Sequence, residues 1–222
     1  MTDVLDVHLP TDSPSPTSRS AAGRGVLCGA VAGPLFLAGG IAQGLGREGF
    51  DFTRNAISQL ALGEPGWIQT VNFVLTGALL LAGATGLRLV LRGAPGGTWG
   101  PGLVGVFGAS FWLAAAFPAD AGASFPAGAP ETTVMSGHGT AHMFGGMVGY
   151  LALCGAFVVL ARPLAARGLR GWAVASRGVP VVVLAGFTAS AVSVLSFTVG
   201  AGLGLLWLGA VTARLGWTEA DH

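Results

Sequence analysis

The chain has 222 residues, of which 52% are hydrophobic and only 9% are charged. A soluble globular domain usually has roughly 25% charged residues, so this composition excludes an ordinary soluble domain. The formal net charge is +1, and every basic residue outside the histidines is an arginine. The apolar composition makes the lipid bilayer the expected partner. Because there is no lysine-rich patch, we expect no binding to nucleic acid.

The two ends of the chain differ from the rest. Residues 1–23 are rich in Asp, Pro, Ser and Thr and contain too few apolar side chains to form a core, which predicts a disordered cytoplasmic tail. Residues 218–222 are predicted to be a short C-terminal tail. Residues 24–217 are therefore expected to form one membrane domain.

Apolar segments in this domain are long enough to cross a bilayer, which needs roughly 20 residues for a core of about 30 Å. Four of them predict one helix each: Val26–Leu45, Trp67–Leu87, Trp99–Phe117 and His138–Leu160. The last run, Gly178–Ala213, would measure about 54 Å as a single helix and must therefore contain two. Its turn-forming residues predict the turn at Ser196–Gly202. The expected fold is an all-α bundle of six transmembrane helices.

Gly25, Gly29 and Gly33 repeat at intervals of four residues in the first predicted helix. This spacing lets membrane helices approach each other closely. A chain with 38 glycines also produces such spacings by chance. Contact with a neighbouring helix would distinguish the two interpretations.

Arginines are unevenly distributed between the two ends of the predicted helices. Cytoplasmic segments of membrane proteins carry an excess of basic residues. With the N-terminus inside, only Arg47 and Arg54 lie outside, and the inner side holds Arg19, Arg24, Arg88, Arg92, Arg162, Arg167, Arg170, Arg177 and Arg214. The sequence therefore predicts a multi-pass protein of the cell membrane with both termini in the cytoplasm.

Three polar clusters are expected at the outer ends of the helices. Asp120 follows the third helix, and His138 and His142 begin the fourth. The cluster after the first helix contains Asp51, Arg54, Asn55, Ser58 and Gln59. Ionisable groups near membrane depth are costly and indicate function, so this outer face is the predicted site, with the first cluster as its ligand-binding part.

The two histidines are four residues apart and therefore share one helix face, where they could bind one metal ion. Zinc would need a third ligand, for which Asp120 is the first candidate and Ser58 or Glu131 are weaker ones. The alternative is that both histidines only cap and polarise the start of a helix. Zinc is thus a possible cofactor, and none is certain.

Ser58 could also act as a nucleophile with His138 or His142 as base and Asp120 as the orienting acid. No nucleophile-elbow motif surrounds this serine, and the Asn55 to Gln59 segment is more typical of the cap of a short interfacial helix. Arg54 is expected to pair with Asp51, although an outward arginine could hold an anionic head group.

The same residues carry a family resemblance. The motifs are DFTRNAISQLALG at 51–63 with Trp67, Asn72 and Phe73, then FPAD at 117–120, and SGH at 136–138 with His142. As an ordered set they resemble the domain-of-unknown-function 998 family of bacterial and archaeal integral membrane proteins. The resemblance implies a compact multi-helix membrane protein, and the family has no established activity.

A more distant similarity is to intramembrane metal hydrolases of the ceramidase and progestin/adipoQ-receptor type, which combine Ser, Asp and a His-x-x-x-His pair. The third histidine of those enzymes is absent here. Three functions follow in order of preference: binding of a lipid head group or small solute, metal-dependent lipid hydrolysis, and transport. We find no internal repeat of the kind that would favour transport. Nothing in the sequence fixes an oligomeric state.

Overall fold

The computed structural model describes residues 16–217. These residues form six α-helices and a short 3₁₀ helix, Ile57–Ala61, which lies between the first two. The α-helices are α1 Pro16–Gly46, α2 Gly66–Val90, α3 Trp99–Ala116, α4 Gly137–Ala166, α5 Arg170–Ala189 and α6 Val194–Trp217. Each contains a segment long and apolar enough to cross a membrane. The predicted all-α fold with six spans is confirmed.

The six helices form a closed ring. Each helix packs against the next along the chain, and α6 packs against α1. Because successive helices are joined by connections and run in alternate directions, the connections 47–65, 117–136 and 190–193 lie together at one end of the bundle, which we call the loop face. Hydrogen bonds show that these segments meet: the Val194 amide at the start of α6, for example, donates to the Thr53 carbonyl over 2.9 Å.

The helix bounds correct the expected N-terminal tail. α1 begins at Pro16, so residues 16–23 are helical rather than disordered. Proline suits the first turn of a helix, where its missing amide hydrogen costs nothing. Ala22 then packs into the core with only 8% of its surface exposed, which ties this segment to the bundle. Residues 1–15 and 218–222, which include the rest of both predicted tails, lie outside the described residues.

The turn before α6 is also corrected. It lies at 190–193, not at Ser196–Gly202, which is helical. The glycines that suggested a turn serve a different purpose, because a Cβ on Gly186 of α5 would lie 3.0 Å from the Cα of Gly200. Gly200 therefore allows α5 and α6 to approach at the level of their backbones.

The glycine repeat of α1 is a packing surface, as its spacing predicts. A Cβ on Gly25 would lie 2.7 Å from the Cα of Gly86, and one on Gly29 would lie 2.9 Å from the Cα of Gly83. A Cβ on Gly33 would come within 2.8 Å of the Leu205 carbonyl oxygen in α6. The repeat therefore joins α1 to both of its neighbours, which confirms the packing interpretation.

Candidate functional site

The predicted polar clusters meet at the loop face. Gln59 donates from Nε2 to the carbonyl oxygen of Asp120 over 3.2 Å. Arg54 forms a salt bridge with Glu131 of the 117–136 connection. This pairing corrects the expected ion pair of Arg54 with Asp51, and it links two connections that are far apart in the sequence.

Asp51 instead organises its own turn. Its Oδ1 accepts hydrogen bonds from the amide and the hydroxyl of Thr53, at 2.8 and 2.7 Å. These bonds lower the pKa of Asp51 below its usual value, because they stabilise the ionised carboxylate. Asn55 is fully buried and accepts the Asp51 amide hydrogen over 2.9 Å. The Asn55 Nδ2 group has no partner within residues 16–217.

The 3₁₀ helix that follows carries Ser58 and Gln59. Gln59 Oε1 accepts a hydrogen bond from the Ala56 amide over 3.1 Å. The Asn55 to Gln59 segment therefore contains a short helix with a capping hydrogen bond, which the Gln59 side chain provides. Because Gln59 also donates to Asp120, this short helix is attached to the 117–136 connection.

Asp120 holds the beginning of α4. Its two carboxylate oxygens accept the Ser136 amide at 2.8 Å and the Ser136 hydroxyl at 2.6 Å. Ser136 Oγ in turn accepts from the Gly139 amide over 3.0 Å, as an N-cap residue does. These bonds to Ser136 lower the pKa of Asp120, so the carboxylate is ionised at neutral pH.

The two histidines lie in different surroundings. His142 is buried, and its Nδ1 lies 2.8 Å from the Phe117 carbonyl oxygen. His138 is exposed, and its ring packs edge-on against Phe117 with 5.5 Å between the ring centroids. Both histidines are close enough to Asp120 to interact with its charge.

The three predicted zinc ligands each make hydrogen bonds or ring contacts of their own. Within residues 16–217, no group of three His, Cys, Asp or Glu side chains could hold a metal ion. Ser136 donates to both oxygens of Asp120, and the Phe117 carbonyl lies at Nδ1 of His142, which leaves Nε2 as the free nitrogen of that ring. Zinc binding by His138, His142 and Asp120 therefore stays a prediction without structural support.

A central cavity of about 280 Å³ lies inside the ring, next to the loop face. All six helices line it, mostly with aromatic and aliphatic side chains. Phe36 of α1, Phe73 of α2 and Phe111 of α3 contact one another along its wall, with ring centroids 5.1 to 6.1 Å apart.

A few polar groups line this cavity, among them His142, Ser58 and Thr198. The Thr198 hydroxyl oxygen is buried and has no hydrogen-bond partner in the described part of the chain. Buried polar groups are almost always hydrogen-bonded, so this hydroxyl is available to a water molecule or a ligand in the cavity. A mostly apolar cavity with a few convergent polar groups is also the usual form of a ligand site.

A second, smaller pocket of about 170 Å³ lies at the loop face. We call it the loop-face pocket. Its lining contains three of the predicted site residues, Ser58, Gln59 and Asp120. Ala56, Ser58 and Met143 line both the loop-face pocket and the central cavity, so the two spaces adjoin. Ser58 therefore lies where the polar surface meets the apolar interior.

Residues 30–217 match a protein family described as protein of unknown function (DUF998). The chain belongs to this family. Comparison with curated proteins and with solved structures finds no match. The DUF998 match begins within α1 and ends at the last residue of α6, so it contains both cavities. The predicted resemblance is confirmed, and the chain is a multi-pass membrane protein of the DUF998 family.

The DUF998 chain places its predicted site residues in three positions. Ser58, Gln59 and Asp120 line the loop-face pocket, and His142 lines the central cavity. Asp51, Arg54 and Asn55 lie in the 47–65 connection and His138 lies in the first turn of α4, and none of the four lines either space.

Sequence reasoning missed the cavity wall of this DUF998 protein. Tyr150 and Thr198 lie inside apolar runs, where nothing distinguishes a residue facing a cavity from one facing lipid. One feature of the sequence did point to the cavity. Met143, Gly146 and Met147 share one face of a helix, where the two methionines are flexible and the glycine has no side chain to fill the space between them. Methionine often borders irregular space because its side chain adapts to many shapes.

Proposed function

We propose that this DUF998 protein binds an amphipathic ligand at the loop face. The polar part of the ligand occupies the loop-face pocket beside Ser58, Gln59 and Asp120. Its apolar part extends into the central cavity. The polar cluster predicted from the sequence would then bind the head group, and the central cavity would bind the rest of the same ligand.

The observation that carries the proposal is the shared wall of the two spaces. Ala56, Ser58 and Met143 border both, so the polar and the apolar space are adjacent, and we propose that one molecule occupies both. Ligand pockets usually measure about 300 to 1,000 Å³, and the central cavity lies close to the lower limit. Its size suits one chain of a lipid rather than a whole bulky molecule.

Charge favours a neutral or positively charged polar group. The lining of the loop-face pocket includes the ionised Asp120 and no arginine. Arg54, which could attract an anionic head group, is already paired with Glu131. An anionic group at this position would therefore meet a negative charge without a compensating cation.

Gly146 allows a direct test. It lines the central cavity, and a Cβ placed on it would meet nothing within 4 Å. Gly146→Phe should therefore fill the cavity without disturbing the bundle. Gly178 of α5 is a matched control, because it is exposed, a Cβ on it also meets nothing within 4 Å, and it does not line the cavity.

The assay is thermal unfolding of the detergent-purified protein with and without lysophosphatidylcholine. A ligand at 100 times its Kd should stabilise the protein by roughly 2.7 kcal/mol. We expect this gain in the unmodified chain and in Gly178→Phe, and we expect Gly146→Phe to lose it. Equal stabilisation of Gly146→Phe would contradict the proposed site, and so would the absence of stabilisation of the unmodified chain by lysophosphatidylcholine. Stabilisation by the anionic lysophosphatidylglycerol alone would contradict the charge preference of the loop-face pocket.

The orientation proposed with this function follows the arginine distribution. In this orientation the loop face lies on the outer side of the cell membrane, and both termini lie in the cytoplasm. Metal-dependent hydrolysis by Ser58, Asp120, His138 and His142, and transport, stay alternative predictions that no contact described above favours over binding.

A further inference from the structure

One side of α4 borders both the central cavity and the membrane. Residues at helical spacing line the cavity: His142, Met143, Gly146, Met147 and Tyr150. The exposed apolar residues of the same half of α4 are Met143, Phe144, Met147, Val148 and Leu151. Met143 and Met147 belong to both sets and are 51% and 48% exposed. The cavity wall and the lipid-facing surface therefore meet at these two methionines.

The neighbouring helix leaves this region open. The buried residues of α5 are Ala173, Ser176, Pro180 and Val183, so none lies in its last turns, at 184–189. Phe187 and Ser190, near this end, line the central cavity while remaining partly exposed. The half of α5 near the loop face therefore contacts α6 closely at Gly186 but contains no buried residue in its last turns.

The same half of α4 is packed on its other side, against α3. A Cβ on Gly145 would lie 2.2 Å from a methyl group of Leu113, and one on Gly149 would lie 2.2 Å from the Ser110 hydroxyl oxygen. The close contacts of α4 near the loop face are therefore with α3. The less tightly sealed side of the cavity faces α5.

Aromatic rings border the cavity where α4, α5 and α6 meet. Tyr150 of α4 contacts Phe197 of α6 with 5.5 Å between ring centroids, and Phe197 contacts Phe187 of α5 at 5.3 Å. These three rings join α4, α6 and α5, and Phe187 and Phe197 lie within one turn of the loop-face ends of their helices. On α4, Met143 and Met147 lie between Tyr150 and the loop face.

We infer that a membrane lipid reaches the central cavity sideways, between α4 and α5, with one acyl chain passing Met143 and Met147. The inference rests on the proposed function and specifies its ligand as a lipid of the leaflet next to the loop face. Methionine suits this position because its side chain is flexible and accommodates different shapes. Once inside, the chain lies against the Tyr150 and Phe197 rings, and the head group lies beside Ser58 and Asp120.

The test measures how fast a lipid reaches the cavity. The full chain is reconstituted in phosphatidylcholine vesicles and mixed with donor vesicles that contain phosphatidylcholine with a diazirine midway along one acyl chain. Samples are irradiated at intervals, and mass spectrometry quantifies the label at Thr198. Label at Val106, an exposed residue of α3 that does not line the cavity, reports arrival of the probe in the membrane.

Met147→Trp should slow labelling of Thr198 about tenfold relative to Val106, which corresponds to roughly 1.4 kcal/mol in the barrier. Val148→Trp is the matched control, because Val148 faces lipid without lining the cavity, and it should leave the rate unchanged. Met147→Ala should raise the rate. Because Met147 also lines the cavity, a slower rate supports the sideways path only if lysophosphatidylcholine in detergent still stabilises Met147→Trp, and loss of that stabilisation would assign Met147 to the binding site rather than to the path.

Other outcomes separate the two proposals. Equal Thr198 labelling rates in all variants would overturn the sideways path and leave ligand binding in place. Label at Val106 but never at Thr198, with lysophosphatidylcholine still stabilising the protein, would overturn a membrane lipid as the occupant. Loss of that stabilisation in the unmodified chain would overturn the binding function as well.

Discussion

The contact between α1 and α2 leads to a quantitative prediction for Gly83→Ala. A Cβ at this position would lie 2.6 Å from the Cα of Gly29 and 3.1 Å from its nitrogen. Carbon atoms in ordinary contact are about 3.5 to 4.0 Å apart, so the helices would have to separate by about 1 Å. Because both atoms belong to backbone, no side-chain rotation can relieve the clash.

Two effects oppose each other in this variant. Replacing a helical glycine by alanine stabilises a helix by about 1 kcal/mol, whereas overpacking a tight contact costs typically 1 to 3 kcal/mol. Gly178→Ala separates them, because Gly178 is helical and a Cβ on it meets nothing within 4 Å. We expect Gly178→Ala to stabilise the protein and Gly83→Ala to be about 1 to 3 kcal/mol less stable than this control.

The measurement is reversible unfolding in mixed micelles, with helix content followed by circular dichroism. The difference in unfolding free energy between the two alanine variants gives the packing cost alone. Equal stability of Gly83→Ala and Gly178→Ala would refute the close approach of α1 and α2 at this point, whatever the effect of either variant relative to the unmodified chain.

Two further predictions concern orientation and pH. With Cys28 and Cys154 replaced by alanine, a cysteine at the exposed position Ala127 should react with a membrane-impermeant maleimide on intact cells, and one at the exposed Gly171 only after permeabilisation; reaction of Gly171→Cys from outside would reverse the proposed orientation. Hydrogen bonds from Ser136 lower the pKa of Asp120, and those from Ser124 and Arg54 lower the pKa of Glu131. Both carboxylates therefore stabilise the folded protein fully at any pH above their pKa in the unfolded chain, which is near 4. This stabilisation is lost as the pH falls through their lower pKa in the folded protein. Thermal midpoints should drop in that acid range, and Asp120→Asn should weaken the dependence; an unchanged profile would contradict the cap of α4.

The sequence predicts the helices of this protein well because each one is recognised by the length of its apolar run. A run of apolar residues must cross the membrane whatever it contacts, so the number of spans follows from a known bilayer thickness. The meeting of Gln59 with Asp120 is predictable for a similar reason, since connections on one side of a membrane share one surface. The side of the membrane on which a residue lies can therefore be read from the segment of sequence around it.

Contacts between distant residues are not encoded in this way. Arg54 has an acidic neighbour at Asp51, yet it pairs with Glu131, a choice that depends on how two connections fold against each other. Gly200 and Gly202 resemble turn residues in sequence, whereas Gly200 packs against Gly186. The cavity escapes sequence reasoning entirely, because lipid and a cavity both select apolar side chains for a helix surface.

Closure of the ring has a consequence for how the protein is made. The contact of Gly33 with Leu205 joins the first helix to the last, so it cannot form until α6 has been synthesised and inserted. The contact of α1 with α2 needs only the first 90 residues and can form much earlier. Contacts between distant parts of a chain form more slowly than local ones and leave intermediates exposed in the meantime. Chains truncated before α6 should therefore retain the α1–α2 hairpin but lack the cavity. Their helices would form an open bundle, whose exposed surfaces quality-control proteases of the membrane could recognise.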